Sequence, residues 1–233
     1  MKSLKASNCT SLTEIVCRNS ALEEIDVQGC MSLDELNCYK NNLTALEVTN
    51  TGLNRLICSN NRLSTLTLNK GLQQLQCSNN NLSALDVSKC TEIKSVYCDG
   101  NNLTELNTDE NTELLLLSCA SNQLTSLNLE KNTELETLLC RFNYIPVLDL
   151  SSNKWLGYHG VESVQLGKQT IQAFNVTNGI DSSYPFVFDF KDCVPSEHIS
   201  KIIASSVKGF DEDNSEIETV YKNGIAKFVL SRQ

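Results

Sequence analysis

Histidine occurs only twice in 233 residues and glycine only ten times. The two histidines, His159 and His198, have no spacing partner with which to build a triad or a metal site. Glycine is too sparse for a phosphate-cradling loop, and neither a nucleophile elbow nor a paired-carboxylate motif is present. Basic residues are short as well: 19 Lys and Arg stand against 28 Asp and Glu, a formal net charge of −9. No basic stripe could neutralise phosphates, which argues against nucleic acid and against an anionic membrane surface. Long apolar runs are missing too. The stretch Leu114 to Leu117 is far below the roughly 20 residues of a transmembrane helix, and Met1 to Thr10 lacks a signal-peptide core. An enzyme, a cofactor, a metal site, a nucleic-acid partner and a membrane span are therefore not expected.

Cysteine, by contrast, is plentiful, with eleven in the chain. Seven recur at Cys17, Cys38, Cys58, Cys77, Cys98, Cys119 and Cys140, at gaps of 21, 20, 19, 21, 21 and 21 residues. Each stands in the frame L-x-x-L-x-C-x-x-N-x-L, clearest in LDELNCYKNNL from Leu33, LNRLICSNNRL from Leu53 and LQQLQCSNNNL from Leu72. A fixed period of this length means stacked repeats. The frame resembles bacterial leucine-rich repeats, and the second half of each period, as in TALEV at Thr44 to Val48 and SALDV at Ser83 to Val87, is similar to a class with two short strands per coil. The resemblance implies a mainly β fold: a curved right-handed solenoid of about seven repeats.

Two columns stay aliphatic throughout. Ile15, Leu36, Leu56, Leu75, Val96, Leu117 and Leu138 stand two residues before each cysteine, and Ile25, Leu46, Leu66, Leu85, Leu106, Leu127 and Leu148 stand eight after it. Such columns face inward, and each coil buries them only by stacking on its neighbours. The cysteines occupy a third inward column. With no C-x-x-C pair beside them they read as small buried hydrophobes with free thiols, not as disulfides or metal ligands. A second column, Cys9, Cys30 and Cys90, exchanges to Asn111, Asn132 and Asn153, which a disulfide column would not do. So many thiols suit a reducing cytosol or the outside of an anaerobic cell.

Three residues after each ladder cysteine comes Ser20, Asn41, Asn61, Asn80, Asn101, Asn122 or Asn143. An amide both donates and accepts, so this column is expected to bridge successive coils. An acidic column, Asp26, Glu47, Asp86 and Asp149, is interrupted by Thr67, Asn107 and Asn128 and reads as a solvated convex face.

At the start of the chain Leu4, Ala6 and Cys9 fit the second half of a repeat with no polar cap before them. That suggests removed upstream sequence, or a partner or second copy over this end. At the other end the frame fails after Leu150, with Val161 at the next cysteine position and Val164 at the next asparagine position. Repeats are expected to end near Gly167, giving a repeat domain over 1–167 and a small β domain over 168–233. The strands QAFNV, PFVFDF and AKFVL, a short helix from Pro195 to Ile203, a strand from Ile202 to Phe210 and turns at Asn178-Gly179 and Asn223-Gly224 are expected in the latter. Its order of elements resembles the immunoglobulin-like modules that follow the repeats of internalin-like bacterial surface proteins. Cys193 alone stands outside the repeats, and its place after PFVFDF suggests packing and not nucleophilic chemistry.

Leucine-rich repeats bind through the concave face, whose exposed side chains are the x positions around each cysteine. Residue types enriched at hot spots single out Tyr39, Ile57, Tyr97, Leu116, Leu139, Arg141 and Phe142 as partner-binding. The small domain could instead fold over Arg141 and Phe142. The resemblance to internalins implies a non-catalytic, secreted or cell-surface module that adheres to a host or neighbouring-cell protein. A carbohydrate ligand, stacked on Tyr39 and Tyr97, is the first alternative, and a cytoplasmic effector selecting substrate through its repeats is the second.

Overall fold

The computed structural model describes residues 2–145, 147–150 and 152–156, together with the backbone of strands within 164–229. Twelve three-residue strands run through the repeats: β1 (Ser3–Lys5), β2 (Glu14–Val16), β3 (Glu24–Asp26), β4 (Glu35–Asn37), β5 (Ala45–Glu47), β6 (Arg55–Ile57), β7 (Thr65–Thr67), β8 (Gln74–Gln76), β9 (Ser95–Tyr97), β10 (Leu116–Ser118), β11 (Thr137–Leu139) and β12 (Val147–Asp149). Successive coils make a solenoid of about seven turns. Strands β2, β4, β6, β8, β9, β10 and β11 stack in parallel, and β13 (Val164–Gln165) extends them to one eight-stranded sheet. The register is strict. Leu36 lies between Ile15 and Leu56, and Val96 between Leu75 and Leu117. Side chains alternate along a strand, so the aliphatic centre of each strand turns into the core while its neighbours face away from it, Ile57 and Ser118 alone among them being buried there. Leu22, Leu43, Leu63, Leu82, Leu103 and Leu124 close the core from the turn after each strand, all fully buried.

The other side of the stack departs from the two-strand expectation. It pairs only as β1 with β3, β5 with β7, and β12 with β14 (Ala173–Asn175). Ser83 to Val87 and its equivalents in the next two coils, 104–108 and 125–129, form no strand although Leu85, Leu106 and Leu127 are buried. The cause is geometric: coils hydrogen-bonded at about 4.8 Å on one side diverge on the other if the stack curves. Side chains still pack there, but backbone pairing lapses. The unbroken sheet corresponds to the inner sheet of the leucine-rich-repeat fold.

Strand pairing continues past Gly167, where the repeats were expected to end. Val164 pairs with Leu138 and Phe174 with Leu148, both 26 residues on, where earlier neighbours such as Leu117 and Leu138 are 21 apart. A longer coil shifts the frame, so Val164 takes the place of the strand-centre aliphatic and not of the asparagine. The segment QAFNV accordingly contributes a strand parallel to β12. Further on, β15 (Phe186–Asp189), β16 (Gly209–Phe210), β17 (Glu216–Lys222) and β18 (Ile225–Val229) form an antiparallel sheet in the order β15-β18-β17-β16. The expected helix at Pro195 to Ile203, most of the strand at Ile202 to Phe210, and His159, Cys193 and His198 lie outside the described residues.

Asparagine joins coil to coil. In Asn101, Nδ2 donates to the carbonyls of Cys77 (3.1 Å) and Cys98 (3.0 Å), while Oδ1 accepts from Leu82 N (3.1 Å). Asn41, Asn61, Asn80, Asn122 and Asn143 repeat the pattern. Every one satisfies backbone groups that the turn would otherwise strand in the core, where an unpaired group costs about 1–3 kcal/mol.

The second column is a ladder of donors. Cys30 Sγ donates to the Ala6 carbonyl (2.9 Å), Cys90 Sγ to Asn69 (3.3 Å), and Asn111 Nδ2 to Val87 and Cys90 (both 2.9 Å). Thr51 and Asn69, not recognised as members from sequence, fill the intervening coils and donate to Val48 and Leu53 (both 2.7 Å). Cysteine, threonine and asparagine exchange because each offers a donor to a buried carbonyl. One acceptor differs between coils. Thr108 Oγ1 donates to Asn132 Oδ1 (2.7 Å), but Val87 and Leu129 stand in its place before Asn111 and Asn153, whose buried Oδ1 atoms lack a partner among the described residues.

The ladder thiols are buried from Cys38 to Cys140, whereas Cys17 is half-buried. Burial pushes the thiols of Cys38, Cys58, Cys77, Cys98 and Cys119 well above their ordinary range, with the neighbouring ladder thiols adding to it. Cys90 is raised to about 11, again chiefly by burial.

Two outcomes are expected. Val87→Thr gives Asn111 the donor that Asn132 already has and raises unfolding free energy by about 0.5–1.5 kcal/mol, while Thr108→Val lowers it by about 1–3 kcal/mol; urea melts of the two variants check both signs. Because the folded thiol pKa values lie above the unfolded ones, the stability they contribute is complete below pH about 8.5 and declines as unfolded thiols ionise above it. Each such thiol removes about 1.4 kcal/mol per pH unit until its folded form ionises too. Urea midpoints under reductant should therefore fall between pH about 8.5 and 10, and less so when Cys58, Cys77, Cys98 and Cys119 are valine.

Candidate recognition face

The inner sheet presents the residues that flank each buried centre. The column just before the cysteines runs Val16, Asn37, Ile57, Gln76, Tyr97, Ser118, Leu139, and the column just after runs Arg18, Tyr39, Ser59, Ser78, Asp99, Ala120, Arg141. Strict register makes these true neighbours. Ser118 lies between Tyr97 and Leu139, and Leu116 shares its strand. Tyr97, Leu116 and Leu139 are each half-buried and border one small apolar area over β9, β10 and β11. Exposed Leu115, missed from sequence, adjoins Leu116 at the strand's start.

The other expected partner-binding residues are distributed differently. Ile57 is only 8% exposed and offers a partner little surface. Gln76 separates it from Tyr97. Tyr39, 36% exposed, stands alone near the first coils, where Arg55 Nη1 meets Glu35 Oε2 at 3.1 Å. Arg141 and Phe142 adjoin the apolar area, and the guanidinium carbon of Arg141 lies 5.5 Å from the Phe142 ring centre.

Phe142 has φ of 58°. The matching positions Asn19, Lys40, Asn60, Asn79, Gly100 and Ser121 share this left-handed conformation, which suits Asn and Gly but is strained for a bulky aromatic. The strain places an exposed ring at the rim of the face.

Asp99, also missed, organises the middle of the sheet. It accepts from Ser118 Oγ (2.5 Å), Ala120 N (2.9 Å) and Ser78 Oγ (3.2 Å), while Ser59 Oγ accepts from Ser78 N (3.1 Å). The only sequence signal was Asp-Gly where the two preceding coils carry Ser-Asn. The chain of bonds fixes four adjacent coils and the Ser118 floor of the apolar area. No group of three or more His, Cys, Asp or Glu capable of holding a metal occurs among the described residues, and no helix there is long and apolar enough to cross a membrane.

No protein-family model matches the chain, and no curated protein matches it significantly. Solved structures do. The functional domain of InlJ from Listeria monocytogenes, described as including a cysteine ladder, is 31% identical with a TM-score of 0.50, covering 64% of this chain and 39% of that one. YopM from Yersinia pestis, a leucine-rich effector protein, is 21% identical with a TM-score of 0.61, covering 72% and 52%. YopM from Yersinia enterocolitica gives 20%, 0.59, 73% and 41%. This chain spans less than two thirds of the length of each. The YopM likenesses establish the fold; the InlJ likeness adds a cysteine ladder to it. The chain therefore has the leucine-rich-repeat fold, and its repeats are similar to those of internalin-like bacterial proteins.

Proposed function

We propose that this chain is a non-catalytic protein-recognition module that holds its partner on the inner sheet. The observation that carries the reading is the apolar area bordered by Tyr97, Leu116 and Leu139 over a floor held by the Ser118 and Asp99 hydrogen bonds. Interface centres are of this kind, apolar and aromatic with a polar rim. Phe142 and Arg141 extend the area, and the strain at Phe142 supports a role outside packing, since Asn or Gly would serve the turn better. Tyr39 would act as an outlying contact, with Ile57 as a backing residue.

The sheet at 186–229, read with the expected helix, supports a small immunoglobulin-like module after the repeats, and likeness to InlJ favours a secreted or cell-surface setting with adhesion to another cell's protein. A glycan ligand is the second reading, favoured by Tyr39 with Asn37, Asn19 and Asn60 around it. A cytoplasmic effector is consistent with the reduced ladder.

Affinity capture from host-cell and matrix extracts should retain a protein that a Tyr97→Glu/Leu139→Glu variant, folded normally by circular dichroism, fails to retain. Equal capture by both proteins, or none, rejects the inner-face reading. Phe142→Asn is expected to raise unfolding free energy by about 1 kcal/mol while weakening capture; unchanged capture would remove Phe142 from the contact.

A further inference from the structure

In a chain of net charge −9, one strip of the surface carries cations alone. It follows the turn that leaves the inner sheet in the first three coils. Arg18, Lys40 and Arg62 are all exposed there. The ion pairs among the described residues, Lys2 with Glu23 and Arg55 with Glu35, involve none of them. The flanking positions are Tyr39, Asn60 and Asn81, and no carboxylate enters these columns before Asp99 in the fifth coil.

The strip is ordered backbone. Asn19 N donates to the Tyr39 carbonyl (2.9 Å), Lys40 N to Ser59 (3.0 Å) and Arg62 N to Leu43 (2.9 Å), so the coil-to-coil ladder continues beyond the strands. Coils are about 4.8 Å apart, and each cation sits one or two residues further along its coil than the last. The cations therefore form a diagonal row across three coils.

We propose that this strip receives an extended acidic peptide segment of the protein partner. Alternate residues of an extended chain face one side, so carboxylates at every second position can all turn toward the row of cations. Elsewhere the surface is predominantly acidic, so an acidic segment is repelled from most of the molecule and directed here, an effect on encounter more than on final affinity. Half-buried Asn60 and exposed Asn81 stand beside the cations, the Asn81 amide donating to the Arg62 carbonyl at 3.5 Å. The inference rests on the recognition reading but not on the apolar area, since the strip lies in coils one to three and Tyr97, Leu116 and Leu139 lie further along.

The test uses fluorescence anisotropy with the intact chain and three labelled probes: a ten-residue peptide of alternating Glu and Ser, a peptide of the same composition with its glutamates in one block, and a sulfated oligosaccharide. The alternating peptide should bind best. Arg18→Glu/Lys40→Glu/Arg62→Glu should weaken it roughly tenfold or more, as should raising salt from about 50 to 300 mM, while Tyr97→Glu/Leu139→Glu leaves it unchanged. Absence of binding at low salt, equal binding by the triple variant, or preference for the block peptide or the oligosaccharide overturns the proposal. Equal protein capture by the parent and Tyr97→Glu/Leu139→Glu, with peptide binding retained, would instead reject only the inner-face reading.

Discussion

One side-chain amide in each coil decides what the rest of the molecule can be. Asn41, Asn61, Asn80, Asn101, Asn122 and Asn143 each tie two cysteine carbonyls and one leucine amide on neighbouring coils. Without that bridge the chain could not turn into the interior after every strand, because its backbone polar groups would have no partner. With it, the turn leucines reach the core and the strands are held in register. Apolar burial supplies most of the free energy, and the amides specify which stacked arrangement receives it.

Fixed register separates scaffold from surface. Inward columns accept aliphatic, thiol, hydroxyl or amide side chains, whereas the outward columns of the inner sheet vary without disturbing the stack. A half-buried apolar area can therefore coexist with a polar network centred on Asp99 and with a row of cations on the early turns. The cations lie on the first three coils and the apolar area on the fifth to seventh, with the Asp99 network spanning the third to sixth. The strained Phe142 is tolerated because the coils on either side dictate its backbone.

The repeat was legible in sequence because its constraints are local and recur: the aliphatic columns, the thiol column and the bridging asparagines all took their expected places. What escaped depends on comparisons between coils or on geometry that a period does not encode. Thr51 and Asn69 were hidden in the second column because the shared property is donation to a carbonyl, not size or class. The 26-residue coil escaped because one longer connection moves the frame. Strands at Ser83 to Val87 did not appear because side-chain packing of Leu85 and Val87 does not by itself require backbone pairing between coils. At the face, Ile57 stands at an outward position yet is covered, and the bonds to Asp99 required the neighbouring coils to be placed first.

The central claim, that the asparagine ladder fixes the coils as one rigid body, is tested most directly by native-state hydrogen exchange at the amides of Leu22, Leu43, Leu63, Leu82, Leu103 and Leu124. Each donates to an asparagine Oδ1 at 2.9–3.1 Å. Uniformly slow exchange, released only as the whole repeat array opens, is the predicted result. Exchange as fast as in exposed turns, or rates that differ widely from coil to coil, would contradict it.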